Sequence, residues 1–133
     1  KQSDRSRYVP RKGGKGFVQH YQPSKIRNER DALVLLVEQN RPDKIWTEPV
    51  IAVVTYYFPW TSGINKKRKA AWLETGKGYK AKKPDLGNLE KMIFDAMEGV
   101  IYVNDSQVVD MRLIKKFSDT PRIEVSLTKV LRY

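Results

Sequence analysis

Carboxylates and a lysine within residues 82–91 form the stretch of this sequence best suited to do chemistry. It reads Lys-Lys-Pro-Asp-Leu-Gly-Asn-Leu-Glu-Lys, and Asn-Asp-Ser-Gln follows at residues 104–107. Asp85 lies just ahead of a predicted helix, and Asp105 lies in a predicted turn after it. We expect the two carboxylates to converge near the helix N-terminus, where free N–H groups and the helix dipole favour a phosphate.

This pattern indicates a metal-assisted site acting on a phosphodiester backbone. Mg²⁺ is commonly held by one or two carboxylates and by phosphate oxygens, and it lowers the pKa of an attacking water. Lys91, expected on the first turn of the helix, would stabilise charge that develops in the transition state. The alternative is an ordinary charged surface on which Lys91 pairs with Asp95, worth only about 0.2–0.5 kcal/mol. Spacing alone leaves both open.

The net charge points to a polyanionic partner. The 133 residues fit one domain, and 26 Lys and Arg against 15 Asp and Glu give a charge of +11. Nucleic acid is the commonest polyanion that so basic a protein binds. A membrane surface is the rival, but the sequence has neither an apolar stretch near ~18 residues nor a signal-peptide pattern.

Residue types that are missing exclude several kinds of enzyme. The chain has no Cys and one His, which excludes thiol catalysis, disulfides and Cys/His zinc sites. No Gly-x-Ser-x-Gly elbow surrounds a serine. The lack of cysteine fits an intracellular protein. Carboxylates, lysines and a hard cation remain as the working groups of an enzyme.

Two basic segments are suited to hold a nucleic-acid backbone. The first is an N-terminal arm, residues 1–16, which equally fits a solvated tail. The second is a long basic loop, residues 61–83, that leads into the acidic stretch. Because the sequence begins at Lys1 and not Met, we expect residues ahead of it. The residues expected to contact the backbone are Lys1, Arg5, Arg7, Arg11, Lys12, Lys66, Lys67, Arg68, Lys69, Lys80, Lys82 and Lys83.

Hydrophobic periodicity predicts the elements that position these residues. A helix over residues 24–40 has Ser24 as its N-cap and an apolar face of Ile26, Leu33, Val34, Leu35, Leu36 and Val37. A second helix begins at Asn88 and is ended by Gly99. Strands are predicted over 17–21, 49–58, 100–103, 107–117 and 122–130, the second of them central and covered on both faces.

The order of these elements predicts the fold class. Strand, helix, strand, long loop, helix and three further strands describe an α+β domain over residues 1–133. Its sheet would be small, mixed or antiparallel, and flanked by two main helices.

Residues 83–91, with Phe-Asp-Ala-Met at 94–97 and Asn-Asp-Ser-Gln-Val-Val at 104–109, resemble the signature of the RusA family of Holliday junction resolvases. That family shows K-P-D-x-D-N-L-x-K, then D-A-L, then D-D-x-Q-V. The resemblance is strong over residues 82–109 and looser elsewhere. It is specific, because two separated motifs occur in the right order and spacing.

The resemblance implies a homodimeric, Mg²⁺-dependent endonuclease, with Mn²⁺ as a possible substitute, that nicks four-way DNA junctions during recombination and repair. It implies that Asp85 and Asp105 are catalytic metal ligands and that Lys91 is essential. Such enzymes occur in the cytoplasm of bacteria and of phage-infected or prophage-bearing cells. No membrane partner is implied.

Two positions depart from the family pattern, since Gly87 and Asn104 stand where it has aspartate. An i,i+2 aspartate pair in extended chain would point to one side, so Gly87, natural or engineered, should weaken metal binding unless Glu90 or Asp95 compensates. A junction resolvase weakened by Gly87 is the leading hypothesis. The others are a catalytically inactive junction-binding protein and a generic basic RNA-binding protein, for which no RNP, KH or zinc signature is present.

Overall fold

Within residues 15–19 and 29–131, which the computed structural model describes, the chain forms three α-helices and one four-stranded sheet. The strands are β1 Lys15–Gln19, β2 Val50–Phe58, β3 Val108–Phe117 and β4 Arg122–Lys129, and the helices are α1 Glu29–Gln39, α2 Lys66–Thr75 and α3 Leu86–Met97. The strand order is β1-β4-β2-β3. β4 runs antiparallel to both of its neighbours, and β2 and β3 are parallel. The predicted α+β fold with a mixed sheet is confirmed.

β2 is the central strand, as its run of β-branched and aromatic residues predicts. On one face every second side chain is buried: Val50, Ala52, Val54 and Tyr56. On the other face Thr55 is buried, and Ile51, Val53 and Tyr57 are half-buried. Within the described residues, the predicted cover on both faces of β2 is therefore complete on one face and partial on the other.

Both α1 and α3 pack on the core with residues at helical spacing. The buried positions are Ala32, Leu33, Leu36 and Val37 on α1 and Leu89, Ile93 and Met97 on α3. Val34 and Leu35, predicted to belong to the apolar face, are 43% and 41% exposed, because they lie across the helix from Leu33 and Leu36. Ser24 and Ile26 lie outside the described residues. No helix in the described part of the chain is long and apolar enough to cross a membrane.

α2 lies inside the segment 61–83 that was predicted to be a loop with at most a short helical turn. Its N-cap is Asn65, whose side chain accepts a hydrogen bond of 2.8 Å from the Arg68 N–H. Gly76 ends it in the left-handed conformation, with φ of 72°. The helix buries none of its residues, so its sequence lacks the apolar periodicity by which helices are recognised. The loop prediction is wrong for that reason.

The chain between α3 and β3 also differs from the prediction. α3 begins at Leu86 with Asp85 as its N-cap, and not at Asn88. The strand predicted over 100–103 is a turn, closed by a hydrogen bond of 2.7 Å from the Gly99 N–H to the Tyr102 carbonyl. β3 consequently pairs with β2 and not with residues 100–103, and the predicted hairpin does not form.

Gly99→Ala is expected to lower the free energy of unfolding by about 1 kcal/mol. Gly99 ends α3 with φ of 81°, a left-handed conformation that strains an L-residue with a side chain. Gly63→Ala is the matched control, since Gly63 has no positive φ and nothing lies within 4 Å of its Cβ position. Urea unfolding of both variants measures the difference, and an equal loss in both would contradict the prediction.

Candidate active site

One exposed side of α3 carries the residues that could take part in catalysis. Gly87, Lys91, Asp95 and Glu98 follow at intervals of four, four and three residues, so they stack along one face of the helix. All four are exposed. The opposite side of the helix is fixed in the core. We call these four residues the α3 stripe, and its two ends differ in chemistry.

Asp85 lies at the N-terminal end of the stripe. Its carbonyl accepts hydrogen bonds from the Asn88 and Leu89 N–H groups at 3.1 and 3.2 Å, which fixes its backbone as the N-cap. The ammonium of Lys115 on β3 donates to the carbonyls of residues 82 and 84, both at 2.7 Å, and so ties the approach segment to the sheet. The Asp85 carboxylate itself is exposed and makes no capping hydrogen bond. The backbone of Asp85 is therefore fixed, while its carboxylate is available to bind a ligand.

Asp105 is positioned at the other end by a single 3₁₀ turn, Asp105–Gln107. Asn104 caps this turn, and its Oδ1 accepts from the Ser106 N–H at 2.9 Å. The Gln107 amide accepts from the N–H groups of Val103 and Asn104, both at 2.9 Å. Its Nε2 donates to the carbonyls of residues 46 and 48 at 2.9 and 3.0 Å. Gln107 therefore anchors the turn that presents Asp105.

The surroundings of Asp105 are unfavourable for its own charge. Burial, followed by the neighbouring Glu98 and, more weakly, Asp95, raises the pKa of Asp105 to about 6, although the Tyr102 hydroxyl lowers it. Burial and the Asp105 carboxylate also raise the pKa of Tyr102 well above its usual value. Among the described residues, neither Asp105 Oδ1 nor the Tyr102 hydroxyl has a hydrogen-bond partner of ordinary geometry, although both are buried.

The structure does not bring Asp85 and Asp105 together within one chain. Asp85 caps the N-terminus of α3, whereas Asp105 neighbours Asp95 and Glu98 near its C-terminus. A twelve-residue α-helix is about 18 Å long, so α3 separates the two carboxylates. The expected convergence is wrong because it depended on the hairpin after α3, which does not form. In the described part of the chain, no three acidic or imidazole side chains could hold a metal ion together.

Lys91 lies between these two ends, on the second turn of α3 because the helix begins earlier than predicted. Its side chain is exposed. None of the ion pairs between described residues involves it, so the predicted alternative, a pair with Asp95, does not form. The Lys91 ammonium is therefore available to an anion beside the stripe.

The basic residues of α2 lie at its N-terminal end, where the helix dipole disfavours positive charge. Lys66, Lys67 and Arg68 are exposed in its first turn, where the helix dipole favours anions and the turn contains no acid. Lys69 pairs with Asp119 at 2.7 Å, and the Lys80 ammonium lies 5.3 Å from the Phe58 ring centre. Lys82 and Lys83 are exposed beside Asp85. The other predicted contacts, Lys1, Arg5, Arg7, Arg11 and Lys12, lie outside the described residues.

Comparison with known proteins decides the family. The family profile described as Endodeoxyribonuclease RusA matches residues 1–128. The chain belongs to the RusA endodeoxyribonuclease family. It is also similar to the uncharacterized protein YqaN of Bacillus subtilis (strain 168), with 36% identity over 116 residues, which cover 86% of this chain and 82% of that protein.

RusA-family membership gives the site a general chemistry. It implies endodeoxyribonuclease activity and the binding of branched DNA junctions, and nucleases of this family generally depend on a divalent metal. Asp105 fits such an ion, because it combines a buried oxygen that has no hydrogen bond of ordinary geometry within the described part of the chain with two neighbouring carboxylates whose repulsion a cation would relieve. Asp85 lies apart from this cluster, at the other end of α3.

The two departures from the RusA pattern have different structural settings. Gly87 lies in the first turn of α3, so the expectation of two residues on one side of an extended chain does not apply to it. Nothing lies within 4 Å of its Cβ position, and a side chain would fit there. Asn104 has a structural role as the cap of the 3₁₀ turn, which an aspartate could also perform.

Sequence reasoning missed the residues that surround Asp105. The motif resemblance assigns no role to Gln107, although its spacing from Asn104 is that of a capping box. Tyr102 was assigned to a strand, and Glu98 was not singled out. Asp95 joins the Asp105 cluster, whereas Glu90 is an exposed neighbour of Gly87 on α3 and does not contribute to the raised pKa of Asp105.

Proposed function

We propose that this protein is a Mg²⁺-dependent, structure-specific endodeoxyribonuclease that resolves four-way DNA junctions in recombination and repair. The observation that carries the proposal is Asp105: a carboxyl group with a raised pKa and a buried oxygen that makes no well-formed hydrogen bond to any described residue, set beside two further acids in a RusA-family chain. The exposed cations of α2 and of residues 82 and 83 support a DNA partner. The place of action would be the cytoplasm of a bacterial or phage-infected cell.

A homodimer would complete the site that one chain leaves divided. If two α3 helices lie antiparallel across a two-fold axis, Asp85 of each protomer approaches the Asp105 end of its partner. Both ends carry apolar side chains suited to such an interface, since Leu86, Val103 and Val109 are 45%, 52% and 62% exposed. A two-fold dimer also matches the symmetry of a four-way junction.

The roles of the chain's own residues follow from this arrangement. Asp85 and Asp105 would hold Mg²⁺, or Mn²⁺ in its place, and the ion when bound polarises the phosphoryl group and activates water. Lys91, which lacks an acidic partner among the described residues, would neutralise charge on the phosphoryl oxygens. Gln107 positions Asp105 through its four hydrogen bonds.

Gly87 favours a second candidate function, a junction-binding protein with impaired or no catalysis. The position carries no carboxylate, and no neighbouring side chain fills the space beside it. Fewer ligand charges mean weaker metal binding, while the basic surfaces that hold DNA are unaffected.

Incubation with a synthetic four-way junction separates these functions. The resolvase is expected to produce symmetric paired nicks with Mg²⁺ or Mn²⁺ and none with EDTA, and to leave a linear duplex of the same sequence intact. Tight junction binding without nicks would establish the second function. Equal affinity for junction and duplex, without nicks, would contradict both.

Lys91→Ala is expected to slow junction cleavage at least about tenfold while changing junction affinity much less, because its charge acts chiefly in the transition state. Single-turnover nicking and a gel-shift titration measure the two effects. Lys44→Ala, which removes the same charge from an exposed site after α1, is the control. If Lys91→Ala weakened binding and cleavage by the same factor, Lys91 would be a DNA contact only.

A further inference from the structure

A cavity of about 490 Å³ opens where the parallel strands β2 and β3 end, beneath α2. Four aromatic residues line it, and three of them form a cluster: Trp60 after β2, Trp72 on α2 and Phe117 at the end of β3. Their planes are nearly parallel, with interplanar angles of 5° to 19° and ring centres 5.3 to 6.3 Å apart. The cavity is in the size range, about 300–1,000 Å³, of sites for small ligands.

A polar turn, residues 118–120, forms another wall of the cavity, and Arg122 is hydrogen-bonded to it. The Arg122 guanidinium donates to Ser118 Oγ at 3.1 Å and to the Thr120 carbonyl at 2.8 Å, and it lies 3.8 Å from the Tyr57 ring centre. Arg122 is only 8% exposed and pairs with Glu124 at 2.8 Å. The wall is thus fixed before any ligand arrives.

The aromatic cluster is more than the packing that attaches α2 to the sheet. Trp60, Trp72 and Phe117 all remain partly exposed, although Trp72 attaches α2 to the sheet by stacking on the other two. Trp60 Nε1 is buried but has no acceptor among the described residues. An indole donor without an acceptor is costly in a packing cluster but useful in a binding site.

Three cations lie against the aromatic rings of this cavity. The Arg68 guanidinium lies 5.7 Å from the Trp72 ring centre, and the Lys69 ammonium lies 5.3 Å from that of Trp60. The Lys80 ammonium lies 5.4 Å from the Phe117 ring centre. The wall also carries Asp119, whose carboxylate is paired with Lys69 at 2.7 Å. Aromatic rings for stacking, polar groups for a base edge and cations beside the rings for phosphates match the chemistry of a nucleotide in an unpaired strand.

We propose that this cavity binds one unpaired nucleobase of a branched DNA, with the base stacked on the aromatic rings and its flanking phosphates at Arg68 and Lys80. The inference rests on the proposed binding of junctions. Bases at a branch point are the ones most easily unstacked, so the site would recognise the branch itself. Gly78, which lines the cavity, is seven residues from Asp85, at most about 24 Å of chain, which is less than one turn of duplex DNA.

The first test uses the wild-type protein and 2-aminopurine, a fluorescent base. We expect the fluorescence of 2-aminopurine at the branch point of a four-way junction to change on binding, while the same base in the middle of an arm keeps its signal. If the protein binds the junction but the fluorescence at the branch point changes no more than that in the arm, the proposal that the cavity binds a base is wrong. The proposed function would be unaffected. Failure to bind the junction at all would overturn both.

The second test removes and restores the stacking surface. Trp72→Leu is expected to weaken junction binding about tenfold or more but to leave affinity for linear duplex unchanged, and Trp72→Phe is expected to recover most of the loss. Trp46→Phe, at a buried tryptophan outside the cavity, is the control. Equal losses for junction and duplex, or no rescue by phenylalanine in a folded variant, would overturn the proposal.

Discussion

Asp105→Asn is expected to reduce metal-dependent junction cleavage by at least about 10³-fold. The loss of an outer-shell partner typically costs 10–100-fold in metal affinity or activity, and loss of a ligand should cost more. Asparagine keeps the shape of the side chain, so the 3₁₀ turn and its bonds to Gln107 should persist. Junction affinity without metal should stay within about threefold, because the substitution removes a negative charge and no DNA contact.

The same variant is expected to be more stable than the wild type in the absence of metal. In an unfolded chain an aspartate titrates near a pKa of ~3.9, whereas burial and the adjacent acids raise the pKa of Asp105 to about 6 in the folded protein. The folded state therefore binds more protons between these values, and stability falls as the pH rises from about 4 to 6 and stays lower above that. Asparagine has no proton to lose and avoids this decline.

Thermal unfolding in EDTA measures the effect. At pH 7.5 the Tm of Asp105→Asn should exceed that of the wild type by on the order of 4 °C, and the difference should vanish near pH 4. Addition of Mg²⁺ should raise the Tm of the wild type above pH 6 and leave that of the variant unchanged. Asp43→Asn, at an exposed position, is the control. A variant that nicks at the wild-type rate, or melts lower at pH 7.5, would contradict the assignment of Asp105.

The elements that bury apolar residues were the ones that the sequence could predict. β2, β4 and the core face of α3 show periods of two and of three to four residues because one side of each packs on the core. α2 buries nothing, and its helix rests on the Asn65 cap, Gly76 and partly exposed aromatic stacking. Those contacts leave no periodic signal, and so the segment was predicted as a loop.

Candidate residues for the site could be named from the sequence, but their geometry could not be predicted. Short motifs point to Asp85, Lys91 and Asp105, whose roles stay proposals, because chemistry requires particular side chains at particular places along the chain. Their separation depends on the turn after α3, where Gly99 reverses the chain and Gln107 ties the next turn to residues 46 and 48. Those hydrogen bonds join residues about sixty positions apart, which local sequence patterns do not reveal.

Gly87→Asp is expected to raise metal-dependent cleavage about 100-fold, or to create it if the natural chain only binds junctions. The new carboxylate would lie in the first turn of α3, two residues after Asp85, the N-cap of that helix. Its Cβ enters open space, so the backbone need not move. A negative charge at a helix N-terminus is favourable, and replacement of a helical glycine is at worst neutral, so the gain should come without loss of stability.

Gly63→Asp is the matched control, because it adds the same side chain at an exposed glycine with equally open surroundings. Both variants lower the net charge by one and should weaken junction binding equally and slightly. Only Gly87→Asp should lower the Mg²⁺ concentration needed for half-maximal nicking. If the two variants cleave alike, position 87 takes no part in metal binding, and the roles proposed for Asp85 and Asp105 do not depend on it.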